Sequence, residues 1–210
     1  MKIKAKSKNI DMLNGPLTSR LLLFTLPIAL SSILQQLFNA ADTSIVGFFG
    51  DPYALAAVGT NGEIIALIVT LSSGLSIGIN ILVANKIGQK KLNNIISIVQ
   101  TSVVFAFIFG VAFAILGQAV TLPLLKLIQT PANIMSAAQI YLRIYLLGYP
   151  FLLLYDFGAA ILRAQGNSRF PFFALVISGI SNVLLNLLFV IVFRLGVAGV
   201  AIATDISTML

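Results

Sequence analysis

The stretch RLLLFTLPIALSSILQQLFNAAD, residues 20–42, decides the class of this chain. Between Arg20 and Asp42 lie 21 uncharged residues. At about 1.5 Å per residue that is a helix long enough for the ~30 Å hydrocarbon core of a bilayer. The pattern recurs: 22 residues between Glu63 and Lys86, 34 between Lys91 and Lys126, and 24 between Arg169 and Arg194. Two shorter gaps, of 16 residues from Lys126 to Arg143 and 12 from Arg143 to Asp156, fall in one further run. A last apolar run, residues 195–210, reaches the end of the sequence.

Composition agrees. Of 210 residues 59% are apolar and 9% charged, against about 45–50% and about 25% in soluble domains. The mean hydropathy is +1.03. Cytosolic enzymes, secreted domains, coiled coils and disordered tails are excluded. Cysteine, histidine and tryptophan are absent, which removes disulfides, the usual zinc and haem ligands, and Ser-His-Asp or Cys-His catalysis. No catalytic residue, resident metal or cofactor is expected.

The spacing predicts six transmembrane helices, an all-α polytopic architecture: residues 18–47, 54–86, 92–119, 136–163 and 170–193, with a sixth starting near Gly196 and continuing to Leu210. Gly50-Asp51-Pro52 reads as a turn, and Pro123, Lys126 and Thr130-Pro131 as a connection. The net charge of +7 does not indicate nucleic acid, because of where it lies. Lys2, Lys4, Lys6, Lys8, Arg20, Lys86, Lys90, Lys91, Arg163 and Arg169 fall on one side of the predicted membrane, and Lys126, Arg143 and Arg194 on the other. By the positive-inside rule the N-terminus is cytoplasmic. We therefore expect a basic cytoplasmic segment, 1–17, and a membrane region, 18–210, in the cell (plasma) membrane. The first apolar run exceeds the ~7–15 residues of a signal-peptide core. The sixth helix ends without a polar flank, so a longer protein is expected. Leu26-Pro27-Ile28 echoes Tyr149-Pro150-Phe151 at the predicted starts of helices one and four, too short a match to establish a repeat.

Polar groups at membrane depth are costly, about 2.5–3.5 kcal/mol for a charge on insertion scales, and so mark function. Ser31, Gln35, Asn39 and Asp42, spaced 4, 4 and 3, line one helix face. Ser178, Asn182 and Asn186 do the same on helix five. Tyr145, Tyr149 and Asp156 share a face of helix four, and aromatic faces beside a carboxylate suit an organic cation. Inter-helix packing and charge pairing are the plainer readings of these last two stripes, Asp156 with Arg163 in particular. Glu63 shares a face with Gly74 and Gly78, whose small-xxx-small spacing predicts a close helix contact. Pro27 predicts a bend in helix one. Spacing assigns no role to Asp205.

Leu26-Pro27-Ile28-Ala29-Leu30 and Leu34-Gln35-Gln36-Leu37-Phe38-Asn39-Ala40-Ala41-Asp42-Thr43 resemble the first helix of multidrug and toxic compound extrusion (MATE) transporters. Ala54-Leu55-Ala56-Ala57-Val58-Gly59 is similar to the start of their second helix. Leu75-Ser76-Ile77-Gly78 and Val83-Ala84-Asn85-Lys86-Ile87-Gly88 are similar to its end. Residues 162–169 resemble the loop after helix four, and residues 196–204 the sixth helix. The resemblance implies one six-helix lobe, the N-terminal one, of a twelve-helix, two-lobe transporter, with a C-terminal lobe as its missing partner. It implies export of cationic or amphipathic small molecules in exchange for H⁺ or Na⁺ by alternating access. The helix-one Asp points to the DinF-like branch, where the coupling site lies in this lobe. Asp42 would be its central carboxylate, with Gln35, Asn39, Asn182 and Thr204 around it. Asn186 departs from the pattern, since some members carry Asp there, and Asp156 departs where Asn is usual. From spacing and chemistry rather than from the resemblance, Tyr145, Tyr149 and Asp156 are the candidate substrate contacts and Pro27 the candidate hinge. Na⁺ could draw on Asp42, Asn182, Asn186 and Thr204; the neutral Asn186 favours H⁺.

Two rivals make distinct demands. A lipid-linked oligosaccharide flippase of the same superfamily should have a more cationic cavity. An intramembrane aspartyl protease would match Tyr155-Asp156 but needs a Gly-x-Gly-Asp half that Gly47-Phe48-Phe49-Gly50-Asp51 does not supply.

Overall fold

The computed structural model describes residues 17–50, 52–90 and 93–210. The basic segment with Lys2, Lys4, Lys6 and Lys8, together with Asp51 of the expected turn, Lys91 and Leu92, lies outside the described residues. Among the described residues six α-helices follow one another: α1 (Leu17–Phe49), α2 (Pro52–Gly88), α3 (Asn93–Leu127), α4 (Met135–Ala164), α5 (Arg169–Leu187) and α6 (Gly196–Met209). Between α5 and α6 the chain passes through a π-helical turn, Leu188–Val192. Among the described residues α1 to α5 are long and apolar enough to cross a membrane, and α6 is shorter.

Three expectations about helix bounds and prolines need correction. Pro123 does not begin a connection; it lies inside α3, which continues to Leu127. A proline near a helix end loses one backbone bond, which the neighbouring turns of a transmembrane helix tolerate. Helix five is not α-helical to Phe193, because the Phe193 N–H reaches the Leu188 carbonyl, five residues back, at 3.0 Å. Pro150 sits in the middle of α4, not at its start, so the echo with Pro27 has no common structural position.

Lipid tails are as apolar as leucine, so packing rather than the hydrophobic effect joins these helices. α4 is the axis, packed on α2, α3 and α6, while α1 packs chiefly on α5. Phe105, Phe109 and Phe113, one turn apart on α3, form a stacked ladder with centroids 5.6 and 6.3 Å apart. Phe105 meets Phe157 of α4 at 6.2 Å and Phe113 meets Tyr149 at 4.4 Å. The order is reversed on α4, so the two helices run antiparallel. Aromatic pairs of this kind contribute about 0.5–1.5 kcal/mol each. The same face needs glycine: a Cβ at Gly110 would lie 2.6 Å from Pro150 Cα, and one at Gly117 would lie 2.8 Å from Leu146 Cδ1. Leucine and isoleucine side chains at 21, 22, 33, 67, 108 and 115 point outward, as a lipid-solvated surface requires.

The close contact expected at Gly74 and Gly78 is absent among the described residues: a Cβ at either would meet nothing within 4 Å, and Glu63 is exposed. The small residues face outward because α2 turns Asn61, Ser72, Ser76 and Val83 inward instead.

Candidate functional site

Asp42 lies seven residues before the end of α1 and is half-buried. α5 stands beside α1 because Gly179 presents bare backbone to the ring of Phe38. That approach brings the asparagine stripe of α5 onto the Asp42 face. The Asn186 side-chain amide donates to Asp42 Oδ1 at 2.5 Å and, more weakly, to Asn182 Oδ1 at 3.3 Å. The Asn182 amide donates to Thr204 Oγ1 of α6 at 3.3 Å, and the Thr204 hydroxyl donates to the Val200 carbonyl at 3.0 Å. Four of the residues singled out from sequence thus form one chain across three helices. Asn182 and Asn186 are buried, and Asn186 Oδ1 has no hydrogen-bond partner.

The other residues of the stripes are arranged differently. Gln35 and Asn39 are exposed, and Ser31 donates to the Pro27 carbonyl at 2.8 Å. α1 runs through Pro27 without a break. Ser178 donates to the Ser207 carbonyl at 2.5 Å and fastens α5 to α6. Tyr149 is fully buried against Phe113 and offers no face to a solute in this structure. Tyr145 is less enclosed and stacks on Tyr141 at 6.4 Å. Asp156 is half-buried and stands within electrostatic reach of Arg163.

Two residues close to the cluster were not singled out. Tyr141 is within electrostatic reach of both Asp42 and Asp205. Its place one turn before Tyr145 extends the helix-four stripe and was a readable signal. Asp205 packs on the backbone of α4 at Gly148, where a Cβ would collide with its carboxylate. Nothing in the spacing marks that glycine.

The oxygens gathered here are one carboxylate, two amides and a hydroxyl. Such hard donors suit a proton or an alkali cation and not a soft metal. Among the described residues no group of three or more His, Cys, Asp or Glu could hold a metal ion.

The chain matches the MatE family model over residues 27–188. It is 34% identical over 191 residues to the probable multidrug resistance protein YoeA of Bacillus subtilis (strain 168), covering 89% of this chain and 41% of that one. The outward-facing conformation of a multidrug resistance MATE family transporter of the MOP superfamily superposes with a TM-score of 0.89 at 26% identity. That match covers 96% of this chain and 45% of the other. An inward-facing structure of such a transporter gives 0.77 at 28% identity, over 83% of this chain and 39% of the other. The chain therefore spans less than half the length of the relatives it matches.

Proposed function

Because this chain belongs to the MatE family, whose members are transporters and not enzymes, we propose that it forms the N-terminal lobe of a drug exporter. In this reading it is a secondary antiporter that moves cationic or amphipathic small molecules out of the cell, with its N-terminus in the cytoplasm. A second six-helix lobe completes the pathway, and the two rock about a site near the bilayer midplane.

The observation that carries the reading is the bond between Asn186 and Asp42 Oδ1. A lone carboxylate at membrane depth is costly unless it is paired or titrates. Here its partner is a neutral amide, so the negative charge stays available. That charge attracts a cationic substrate. Proton uptake removes it and releases the substrate, and loss of the proton restores it. Substrate and proton thus compete for Asp42, which is the requirement of an exchanger. Asn182 and Thr204 act at one remove, holding the Asn186 amide with its N–H toward Asp42. Asn186 is neutral where a second carboxylate would have strengthened a Na⁺ site, so H⁺ is the coupling ion we favour. Pro27, which frees the Leu23 carbonyl from its helical bond, is the place in α1 where bending costs least.

The test is efflux by the complete protein in sealed vesicles with each gradient imposed separately. A pH gradient without Na⁺ should drive export, and Asp42→Asn, which keeps the shape but cannot titrate, should abolish it. Export driven by Na⁺ at equal pH, and not by a pH gradient, would overturn the proton assignment.

A further inference from the structure

α2 and α4 run side by side in the same direction, fastened at two levels. The Asn61 amide donates to the Ala138 carbonyl at 3.0 Å, and the Asn80 amide to the Ala160 carbonyl at 2.8 Å. Ser72 stands eleven residues beyond Asn61, and Tyr149 eleven beyond Ala138. Equal rises of about 16 Å put them at the same level. Both are fully buried, and the Tyr149 hydroxyl lies beside that of Ser72. Yet neither Ser72 Oγ nor Tyr149 Oη makes a well-formed hydrogen bond. Two turns further along the same face of α4, Asp156 Oδ2 is also buried and unpartnered. Its charge reaches Tyr149 and Tyr145.

Asn61 Oδ1, about three turns away on the same seam, is buried and unpartnered as well; these oxygens need an explanation, because buried polar atoms are almost always partnered. Internal water supplies one, since a buried water makes about three hydrogen bonds to such groups. An ionised carboxylate only accepts hydrogen bonds, whereas a protonated one also donates. With a proton, Asp156 can donate to water that in turn serves the two hydroxyls. We propose that the α2–α4 seam holds water joining Ser72, Tyr149 and Asp156, and that Asp156 is a proton-binding group there, separate from the Asp42 cluster.

The groups facing Asp156 are Tyr145, Tyr149, Tyr155 and Arg163, all on α4. α6 brings Asp205 to Tyr145. Among the described residues, α2, α3 and α5 bring no charge to Asp156. Among the described residues Arg163 is the one cation in reach, and Tyr155 is already engaged with the Pro171 carbonyl at 3.2 Å. This assignment makes Asp156 an internal group of the lobe rather than a contact for substrate, and it stands without the transport reading.

Infrared difference spectra between low and high pH, recorded on the chain in lipid nanodiscs, test it. The protonated-carboxyl band should contain a component that Asp156→Asn removes and Asp42→Asn leaves in place. Ser72→Ala and Tyr149→Phe, which keep the helix packing, should displace that component because they change what the water can bind. They carry the test if Asp156→Asn does not fold. A spectrum unchanged by Asp156→Asn, or an Asp156 component indifferent to both hydroxyl deletions, would overturn the proposal.

Discussion

Removing the Asn186 side chain from the Asp42 cluster gives the sharpest energetic prediction. Asn186→Ala deletes the donor at 2.5 Å from Asp42 Oδ1 and the longer contact to Asn182 Oδ1 at 3.3 Å. Interhelical hydrogen bonds in membranes average about 0.6 kcal/mol in double-mutant cycles and reach about 1.7. Bonds to charged groups run higher, about 1.5–3 kcal/mol. The contact to Asp42 is short and directed at a carboxylate, so we expect a coupling of about 1–2 kcal/mol between residues 42 and 186. The 3.3 Å contact adds little. The assay is equilibrium unfolding by steric trapping in bicelles, on Asp42→Ala, Asn186→Ala and the double variant. Asn186→Ala should destabilise the parent but have a much smaller effect once Asp42 is alanine. Additivity within about 0.3–0.5 kcal/mol, as for sites that do not interact, would refute the reasoning that α1 and α5 are joined through this pair.

Other substitutions probe the packing. Gly110→Ala should destabilise by about 1–3 kcal/mol, since its Cβ would meet the backbone of Pro150 and neither helix can yield cheaply. Gly78→Ala should be neutral or stabilise by up to about 1 kcal/mol, because nothing lies within 4 Å; thermal unfolding of both variants compares them directly. Gly148→Ala should push Asp205 off the α4 backbone and loosen α6, read as faster amide exchange in Gly196–Met209. The 210-residue chain alone should confer no efflux on vesicles, because the proposed pathway lies between two lobes; ion-driven export by it would contradict the two-lobe reading.

The helices were legible because charge is scarce: each uncharged gap of more than 20 residues falls in one long apolar helix. Their ends were less legible, since helices project past the hydrocarbon and the signal there is weak. Pro123 shows this, a proline that reads as a break yet sits within the last turns of α3. Asp42 and the asparagines of α5 stood out for the cost of polarity in lipid. Spacing within each helix gave a face but not which faces meet. The bond from Asn186 to Asp42 spans 144 positions and depends on Gly179 admitting Phe38, which no local pattern announces. Glu63 failed for the complementary reason. A small-xxx-small pattern says that a close approach is affordable, and α2 uses its other face, pinned through Asn61 and Asn80. Those asparagines, isolated in a strongly apolar helix, were a signal that sequence reading passed over. In the seam they define, the Ser72 and Tyr149 hydroxyls lie side by side without a well-formed hydrogen bond, a feature visible only when both helices are in place.

Competition between proton and substrate at Asp42 is the central claim, and proton release on binding measures it most directly. A fluorescent organic cation is titrated into the purified complete protein in weakly buffered solution, at a pH where Asp42 is largely protonated. Proton release is recorded alongside binding. The account predicts release approaching one proton per bound cation, lost in Asp42→Asn. Cation binding without proton release, or the same release from Asp42→Asn, would contradict it.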